Sequence, residues 1–335
     1  MKKNILVTGF VLLSCLLPLR AMAASFDGLY VFGDSLSDDG NLYKATGGFQ
    51  SPTTAVPENP PYYQGRFSNG PVWVEYLAKD LNLPLNLNTN FAYGGAGSGD
   101  NSTSVSPGIP GLLTQVSSFT SYLQQAHQQA DPNALYTVWA GANDYFFGNV
   151  TDPTGPVSNI SSAVQSLAQA GAKNFLVANL PNLGAVPLVN QDSLTSTELA
   201  SLSSLHNSDL ASTLDTLSGK LGPDGVNIFQ LDVSSLFNDV LANPGKYGFT
   251  NVTDSCLSPL GAPVMVPATP CATEQQDQNK YLFWDGEHTT TAAHWLIADD
   301  ALSVVDDPPS VPEPSNQLGV LALGILGAAS LYKRK

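Results

Sequence analysis

Ser35 has the setting that most suggests nucleophilic chemistry in this 335-residue chain. It lies in LYVFGDSLSDDGN, where a short apolar run passes directly into Gly, Asp and Ser. A tight turn would explain the glycine and the aspartates, because both residue types tolerate turns and cap helices. A nucleophile would explain the serine as well. If a helix begins near Ser35, its N-terminal amides would stabilise negative charge that develops beside the hydroxyl.

Two other segments could supply hydrogen-bond donors to the same place. The run NFAYGGAGSGD contains Gly94 and Gly95, and glycine lets backbone approach a ligand with no Cβ in the way. The run VWAGANDYFF contains Asn143, whose side-chain amide carries two N–H donors. Each feature alone is typical of a turn or a cap. A site is favoured because three predicted strands deliver Ser35, Gly95 and Asn143 to one sheet edge.

A nucleophilic serine needs a base, and the chain has four histidines. We expect His127 to lie in a solvated, Gln-rich helix, His206 in a polar helix and His294 within the last helix. His288 instead follows an apolar-aromatic run in FWDGEHTTTAAH, and Asp285 precedes it by three residues. This carboxylate could hold one imidazole tautomer and stabilise the imidazolium formed when serine loses its proton. A surface Asp-Gly turn with an incidental histidine explains the stretch equally well when it stands alone.

Short apolar runs and longer amphipathic runs alternate along the chain and must position these residues. Strands are predicted at residues 29–32, 90–93, 135–140, 174–180, 226–231 and 281–283. Helices are predicted at residues 112–126, 157–168, 194–221 and 291–305. This alternation predicts one α/β domain over residues 25–305, with a parallel sheet sandwiched between helices. The long loops at residues 46–71, 96–111 and 249–280 are where a site would be built.

The N-terminal residues resemble a secretory signal peptide. Two lysines follow Met1, residues 5–19 form an apolar run, and residues 21–23 are a small-x-small cleavage site. We therefore expect residues 1–24 to be removed on export. A retained membrane helix is the alternative, but the run is short and broken by Gly9 and Pro18. Cleavage as a lipoprotein before Cys15 is disfavoured because it would leave apolar residues on the mature end.

The C-terminal residues 306–335 are predicted to be a linker and a tail. Pro312, Glu313 and Pro314 precede a 15-residue apolar stretch and a final Lys-Arg-Lys. Such a stretch is marginal for a permanent span, although the basic cluster fits a cytoplasmic stop. The order resembles the PEP-CTERM sorting tail of Gram-negative bacteria. This implies contact with the export and sorting machinery, removal of the tail, and delivery to the envelope surface or the exterior. An ordinary C-terminal anchor is the alternative.

The chain between these ends is strongly acidic. Six of the 13 basic residues lie in residues 1–24 and 311–335, but only one of the 28 acidic residues, Glu313, does, which leaves seven basic against 27 acidic residues. Nucleic acid is excluded as an expected partner, because phosphate binding needs clustered Lys and Arg. Anionic membrane surfaces are disfavoured as electrostatic docking sites, so membrane contact is expected only through the signal peptide and the tail.

Cysteine and histidine are too sparse for a structural metal site. Loss of the signal peptide removes Cys15 and leaves Cys256 and Cys271. An even pair in an exported chain suggests one disulfide. Two thiols and four scattered histidines do not match a zinc site, and we expect neither a metal nor an organic cofactor.

Four ordered blocks resemble the GDSL family of SGNH hydrolases, esterases and lipases. They are FGDSLSDDGN, NFAYGGA, GANDY and WDGEH, and they span nearly the whole mature chain. The run GRFSNGPVWVEYLA is similar to the family's secreted lecithinase and haemolysin-like branch. The resemblance implies a three-layer α/β/α sandwich of the flavodoxin-like type with a mostly parallel central sheet.

The family pattern, carried over by position, implies a role for each candidate residue. Ser35 becomes the nucleophile, His288 the base and Asp285 its partner. The Ser35 and Gly95 N–H groups and the Asn143 side-chain amide become the oxyanion donors. In this chain Thr289 stands where the family often has proline, and Glu287 places a carboxylate beside His288 that could raise its pKa.

Other motif assignments fit less well. Ser37 stands where the G-x-S-x-G elbow of α/β-hydrolases needs its second glycine. The run GGAGSGD lacks the lysine of a phosphate-binding P-loop. Tyr62 and Tyr63, like the aromatic run at residues 145–147, could line an apolar acyl site or belong to the core.

The sequence therefore predicts an exported serine hydrolase that cleaves a small-molecule or lipid ester through an acyl-enzyme. An acyltransferase that uses the same residues is one alternative. A catalytically silent surface-matrix protein that keeps the fold as a binding scaffold is the other.

Overall fold

A four-stranded parallel sheet forms the centre of the domain. The strands are β1 (Leu29–Gly33), β2 (Leu135–Trp139), β3 (Asn174–Ala178) and β4 (Asn227–Leu231), in the order β1-β2-β3-β4. This computed structural model describes residues 26–306 except 49, 52, 87, 102–107 and 260–267. All five residues of β2 are buried, as expected for a strand that is covered on both faces.

Helices cover both faces of this sheet. They are α1 (Asn41–Ala45), α2 (Trp73–Asp80), α3 (Leu112–Gln125), α4 (Ala142–Phe146), α5 (Thr154–Gln169), α6 (Ser193–Leu221), α7 (Val233–Ala242), α8 (Gln275–Gln278) and α9 (Thr291–Asp306). Apolar side chains of α2, α7 and α9 pack on one face, and those of α3 and α5 pack on the other. The leucines of the long α6 reach both clusters.

The strand residues alternate between the two cores. In β2, Leu135 and Trp139 belong to the cluster with α2, α7 and α9, whereas Tyr136 and Val138 belong to the cluster with α3 and α5. This is the two-residue period of a pleated strand. The predicted three-layer α/β/α class with a parallel central sheet is confirmed.

Two strand predictions need correction. Residues 90–93 are not a strand: they run beside β1 with a single bridge between Val31 and Asn90. Main-chain bonds from Phe91 to Val31 and from Tyr93 to Gly33 still hold this segment against the sheet edge. Residues 281–283 do form a strand, β8 (Tyr281–Phe283), but it lies outside the central sheet and pairs with β5 (Asn251–Ser255).

Several elements were not predicted. The expected loop at residues 249–280 contains β5, α8 and a small hairpin of β6 (Leu257–Ser258) and β7 (Thr269–Pro270). No helix begins at Ser35, because the chain forms a turn there and α1 starts only at Asn41. Helix α2 was missed because four buried residues in an eight-residue segment give little periodic signal. Helix α7 was missed as well.

A disulfide bond joins Cys256 and Cys271 beside the hairpin. Cys256 is buried in a small cluster with Leu257 and Trp284, and Tyr62 packs against it. The amides of Cys256 and Leu257 donate to the carbonyls of Phe283 and Trp284. The bonded loop is thereby attached to the segment that leads into Asp285.

We expect intact protein to contain no free thiol at Cys256 or Cys271, and the Cys256→Ser/Cys271→Ser variant to be less stable. Closing a loop with a sequence separation of 15 contributes up to about 3 kcal/mol in the chain-entropy account. Mass spectrometry of alkylated, unreduced protein and urea unfolding of both forms would measure this. Two alkylated cysteines in native protein would refute the pairing.

The predicted signal peptide and tail lie outside the described residues, apart from Asp306 at the end of α9. Across the part of the chain that the structure describes, no helix combines the length and apolar character needed to cross a bilayer.

Candidate active site

Ser35 lies in the turn that follows β1, at the carboxyl end of the sheet. The Ser37 amide donates to the Asp34 carbonyl, and the Leu36 amide donates to the Asp34 carboxylate. An added Cβ at Gly33 would lie 2.4 Å from the Trp139 carbonyl oxygen. Glycine therefore lets β1 and β2 approach closely just before the turn. The Ser35 side chain is buried except for a small exposed fraction of 7%.

His288 and Asp285 meet Ser35 in one hydrogen-bonded chain. His288 Nε2 lies 2.8 Å from Ser35 Oγ, and His288 Nδ1 lies 2.8 Å from Asp285 Oδ2 and 2.9 Å from Oδ1. Ser35 and His288 are 253 positions apart in the chain. The predicted serine, histidine and aspartate are thus brought together, in the order that a base oriented by a carboxylate requires.

The Asp285 carboxylate is held in its charged form. Burial alone would raise the pKa of Asp285, but His288, the Glu287 amide and the Tyr62 hydroxyl lower it to about 2. The two main-chain donors are the amides of Glu287 and His288, at 2.9 and 2.7 Å from Oδ1. Asp285 is therefore a permanent negative charge beside the imidazole.

This charge favours the imidazolium form of His288. Burial would lower the pKa of His288, but the charge and hydrogen bond of Asp285, with smaller effects of Glu287 and Asp34, raise it to about 9. Burial raises the pKa of both of these neighbouring carboxyls to about 7. The carboxylates around His288 therefore stabilise its protonated form.

The loop with Gly94 and Gly95 lies against the end of β1. Gly95 has φ +76°, which glycine adopts without strain. An added Cβ at Gly94 would lie 2.4 Å from the Phe67 ring. The Asn143 side chain donates to the Ala96 carbonyl at 2.9 Å. This bond ties Asn143 to the residue that follows Gly95. The glycine loop and Asn143 therefore lie together at the carboxyl edge of the sheet, where Ser35 also lies.

Two buried aspartates that sequence reasoning missed fix these loops. Asp38 accepts the amides of Gly40, Asn41 and Leu42, which caps α1, and it also accepts the Gly94 amide at 2.9 Å. The sequence signal for Asp38 was its place in a turn rich in Ser and Asp, because these residue types commonly cap helices.

Asp144 has the same function one loop further on. Its carboxylate accepts both the amide and the hydroxyl of Ser98 at 2.8 Å. Asp144 directly follows Asn143, so this pair of bonds ties the asparagine turn to the glycine loop.

The aromatic residues divide between two roles. Tyr145 is buried and bonds to His206 at 2.9 Å, so it belongs to the core. Tyr62 donates its hydroxyl to Asp285 Oδ2 at 2.7 Å, a contact that no local pattern signals. The Phe67 ring lies 4.8 Å from the His288 ring.

The remaining histidines do not reach Ser35. His206 is fully buried although its helix reads as polar, and its ring lies 2.9 Å from where a Cβ on Gly141 would be. His294 is fully buried and accepts the Trp73 amide, which links α9 to α2. His127 is exposed, but it lies just past the end of α3 rather than within it. Among the described residues, no group of three or more His, Cys, Asp or Glu side chains could hold a metal ion.

An apolar cavity is lined by Leu36 and Thr289, the residues that follow Ser35 and His288. The polar part of its lining includes the Glu287 carboxylate and the Asn182 side-chain amide. The apolar walls include Trp139, Val186, Phe237, Leu241, Phe283 and Ile297.

Comparisons with known proteins show the family to which this chain belongs. The family model GDSL-like Lipase/Acylhydrolase matches residues 29–301. The phosphatidylcholine-sterol acyltransferase of Aeromonas hydrophila is 29% identical over 339 residues, which cover 89% of this chain and 96% of that protein. The thermolabile hemolysin of Vibrio parahaemolyticus is 31% identical over 274 residues, which cover 81% of this chain and 62% of the hemolysin.

Among solved structures, the native M. smegmatis aryl esterase aligns with 83% of this chain and 97% of its own at 16% identity and a TM-score of 0.45. The family match covers most of the chain and includes the strand ends that carry Ser35, Asn143 and His288. The chain belongs to the GDSL-like lipase and acylhydrolase family of ester-hydrolysing enzymes.

Proposed function

We propose that this chain is an exported serine esterase that cleaves carboxylic esters through an acyl-enzyme on Ser35. The observation that carries the proposal is the continuous chain from Ser35 Oγ through His288 to Asp285, with both links at 2.8 Å. A turn with an incidental histidine would not need to bury Ser35 and His288 together beside a half-buried Asp285.

In the first half-reaction, Ser35 Oγ attacks the ester carbonyl carbon while His288 Nε2 accepts its proton. The carbonyl electron pair moves onto oxygen. The Ser35 and Gly95 amides and the Asn143 side chain are the proposed donors to this oxyanion. When the oxyanion collapses, the ester C–O bond breaks and His288 returns the proton to the leaving alkoxide.

Water completes the cycle on the acyl-enzyme. His288 accepts a proton as water attacks the acyl carbon, and a second oxyanion forms in the same place. Its collapse breaks the bond to Ser35, which regains its proton, and the acid leaves. Asp285 stays ionised throughout, because its low pKa keeps the proton on His288.

The apolar cavity supports an ester with an apolar acyl or alcohol part. Its walls include Leu36 and Thr289, the chain neighbours of Ser35 and His288, and its volume is about 20 Å³, so side chains would have to move for it to admit an acyl chain. Burial of each methylene there would favour binding by about 0.8 kcal/mol. A panel of p-nitrophenyl esters of increasing chain length, beside a phospholipid, tests this. Activity that is independent of acyl length would contradict it.

An acyltransferase is the second candidate, because one relative of similar length is named a phosphatidylcholine-sterol acyltransferase. The same acyl-enzyme would then react with an alcohol other than water. Free-acid release measured with and without an added alcohol acceptor separates the two. Acyl transfer that outcompetes hydrolysis would favour the acyltransferase. Labelling by a fluorophosphonate probe would distinguish either enzyme from a catalytically silent surface-matrix scaffold.

Asn143→Ala should lower kcat about 100- to 1,000-fold with little change in KM. Its side-chain donor would act mainly on the oxyanion, and loss of one such donor costs about 3–4 kcal/mol of transition-state stabilisation. Initial rates on a short-chain aryl ester measure both constants. Asn159→Ala is the control, since Asn159 donates to Ser98 in the neighbouring loop. A raised KM with unchanged kcat would assign Asn143 to substrate binding instead.

The acid limb of kcat/KM should lie above the ordinary histidine pKa of about 6.5. The base acts only as neutral imidazole, and a raised pKa means that more alkaline solution is needed to remove its proton. Burial raises the pKa of Glu287 to about 7, so this neighbour is charged where His288 titrates. Glu287→Gln should therefore move the limb at least about half a pH unit downwards. Glu198→Gln, on the exposed side of α6, should not move it. An unmoved limb in Glu287→Gln would contradict this account.

We further propose that residues 1–24 and 306–335 are export segments that flank the catalytic domain at residues 25–305. The Pro-Glu-Pro triplet, apolar stretch and basic end support a PEP-CTERM tail that is cleaved at the surface of a Gram-negative envelope. Protein recovered from the cell surface or medium should then lack residues 318–335. Intact C-terminal peptides in that material would refute cleavage.

A further inference from the structure

The Tyr62 hydroxyl donates to Asp285 Oδ2 at 2.7 Å, across 223 positions of the chain. We propose that Tyr62 is a positioning residue that holds the Asp285 carboxylate in the orientation from which it directs His288. The proposal rests on the serine esterase function argued above. It adds to that function a fourth group, which acts through Asp285 and does not touch the reacting atoms.

The contacts of Asp285 show why an outside donor is needed. Oδ1 accepts the amides of Glu287 and His288, which belong to the same short turn. Oδ2 meets only His288 Nδ1 and the Tyr62 hydroxyl among the described residues. Without Tyr62, Oδ2 would be held only by the imidazole that it must itself orient. Tyr62 thus connects the turn to a separate part of the fold.

Tyr62 is itself firmly held. Its ring packs edge-to-face on Trp284, with centroids 6.4 Å apart and an interplanar angle of 84°, and on Phe67 at 6.1 Å and 65°. Trp284 is buried in the cluster that contains the disulfide-bonded Cys256. Such edge-to-face aromatic pairs stabilise the position of the ring beyond simple burial of its area. The hydroxyl therefore has a fixed direction.

The hydroxyl is also a donor at every working pH. Burial, and then the charge of Asp285, raise the pKa of Tyr62 far above its ordinary value, with smaller effects of Glu287 and Glu58. The phenol cannot lose its proton to the neighbouring carboxylate, which has a low pKa. Its role is to share the negative charge of Asp285 and fix its plane.

Removal of the hydroxyl should change both orientation and basicity. Asp285 would keep its two amide donors, but its charge would be less stabilised and would attract the His288 proton more strongly. The other charged groups around His288 are Glu287 and Asp34, and both remain in the variant. The acid limb of the pH profile should therefore move upwards, and kcat should fall because the imidazole is less well directed.

The test is Tyr62→Phe, which keeps the ring and its packing. We expect kcat on a short-chain aryl ester to fall about tenfold, or 1.36 kcal/mol, with KM within about twofold and an acid limb at higher pH. Tyr63→Phe is the matched control, because the neighbouring tyrosine contacts Arg66 rather than Asp285. A Tyr62→Phe enzyme with the kcat and pH profile of the native enzyme would overturn the proposal.

The same change in an Asp285→Asn background separates positioning from packing. If Tyr62 acts through Asp285, the second change should have little further effect, because interacting groups are not additive. An undiminished tenfold loss in that background would show a packing role and overturn the proposal. If Tyr62→Phe does not fold, 3-fluorotyrosine at position 62 is the second variant, because it keeps the ring and makes the hydroxyl a stronger donor. The acid limb of the pH profile should then move downwards. An acid limb that does not move would overturn the proposal.

The Ser35→Ala variant tests the serine esterase function separately from the role of Tyr62. Native-level activity in Ser35→Ala would remove the function on which this proposal rests. An inactive Ser35→Ala enzyme beside an unchanged Tyr62→Phe enzyme would remove only the role of Tyr62.

Discussion

Ser35→Ala is expected to leave a folded protein with esterase activity near background. The Ser35 hydroxyl is bonded to His288 Nε2 and is the atom from which the acyl-enzyme would form. Loss of a serine nucleophile lowers kcat on the order of 10⁶-fold in a comparable triad enzyme. Alanine removes one oxygen atom from a turn that is held by the Asp34 main chain and side chain. The fold should therefore persist.

The measurement is kcat and KM on a short-chain aryl ester, with circular dichroism and a thermal unfolding midpoint on the same samples. Labelling by a fluorophosphonate probe should be lost in parallel. A Ser35→Ala enzyme that retains more than about a tenth of native kcat, a loss under about 1.4 kcal/mol, would mean that Ser35 is only a turn residue.

Ser37→Ala is the matched control in the same turn. Ser37 is fully buried, and its hydroxyl accepts the Trp73 indole N–H at 3.0 Å. Its removal leaves that donor unpaired, which costs about 1–3 kcal/mol of stability. Ser37→Ala should thus unfold at lower temperature yet keep kcat, whereas Ser35→Ala should keep stability and lose kcat. The two serines separate chemistry from structure within three residues of chain.

The central sheet could be predicted because its strands are nearly continuous apolar runs. Burial on both faces gives β1, β2 and β3 a strong local signal, and glycine or polar residues mark where each strand ends. Strand β4 lies at the sheet edge and is partly exposed, at Asn227 and Gln230. The positions of Ser35 and Asn143 follow from those ends. The segment at residues 90–93 has a similar apolar pattern. It forms only one bridge to β1, so it is not a strand.

The supporting groups could not be predicted, because their partners lie far away in the chain. Tyr62 sits in a loop rich in Pro and Gly, where no periodicity indicates which residue is buried. His206 is buried in a helix whose sequence is rich in Ser and Thr, so its surroundings read as polar. Local patterns locate the reacting groups at strand ends, whereas the groups that hold them depend on tertiary packing.

His288→Ala should abolish turnover nearly as completely as Ser35→Ala. Among the described residues, the Ser35 hydroxyl is hydrogen-bonded to His288 Nε2, and no other described side chain is placed to accept its proton. In a comparable triad enzyme, loss of the histidine costs on the order of 10⁶-fold in kcat and loss of the aspartate about 3 × 10⁴-fold. Asp285→Asn should therefore be the milder change, because it misdirects the imidazole without removing it.

The double variant Ser35→Ala/His288→Ala gives the decisive comparison. If serine and histidine act in one proton transfer, the second change has nothing left to remove, and the double variant should be no slower than either single variant. His127→Ala, at an exposed position, should retain native kcat and controls for histidine replacement. Rates come from single-turnover and steady-state measurements on the same aryl ester. Losses that multiply in the double variant would contradict a shared step, and so would an Asp285→Asn enzyme slower than His288→Ala, because an orienting group cannot matter more than the base that it orients.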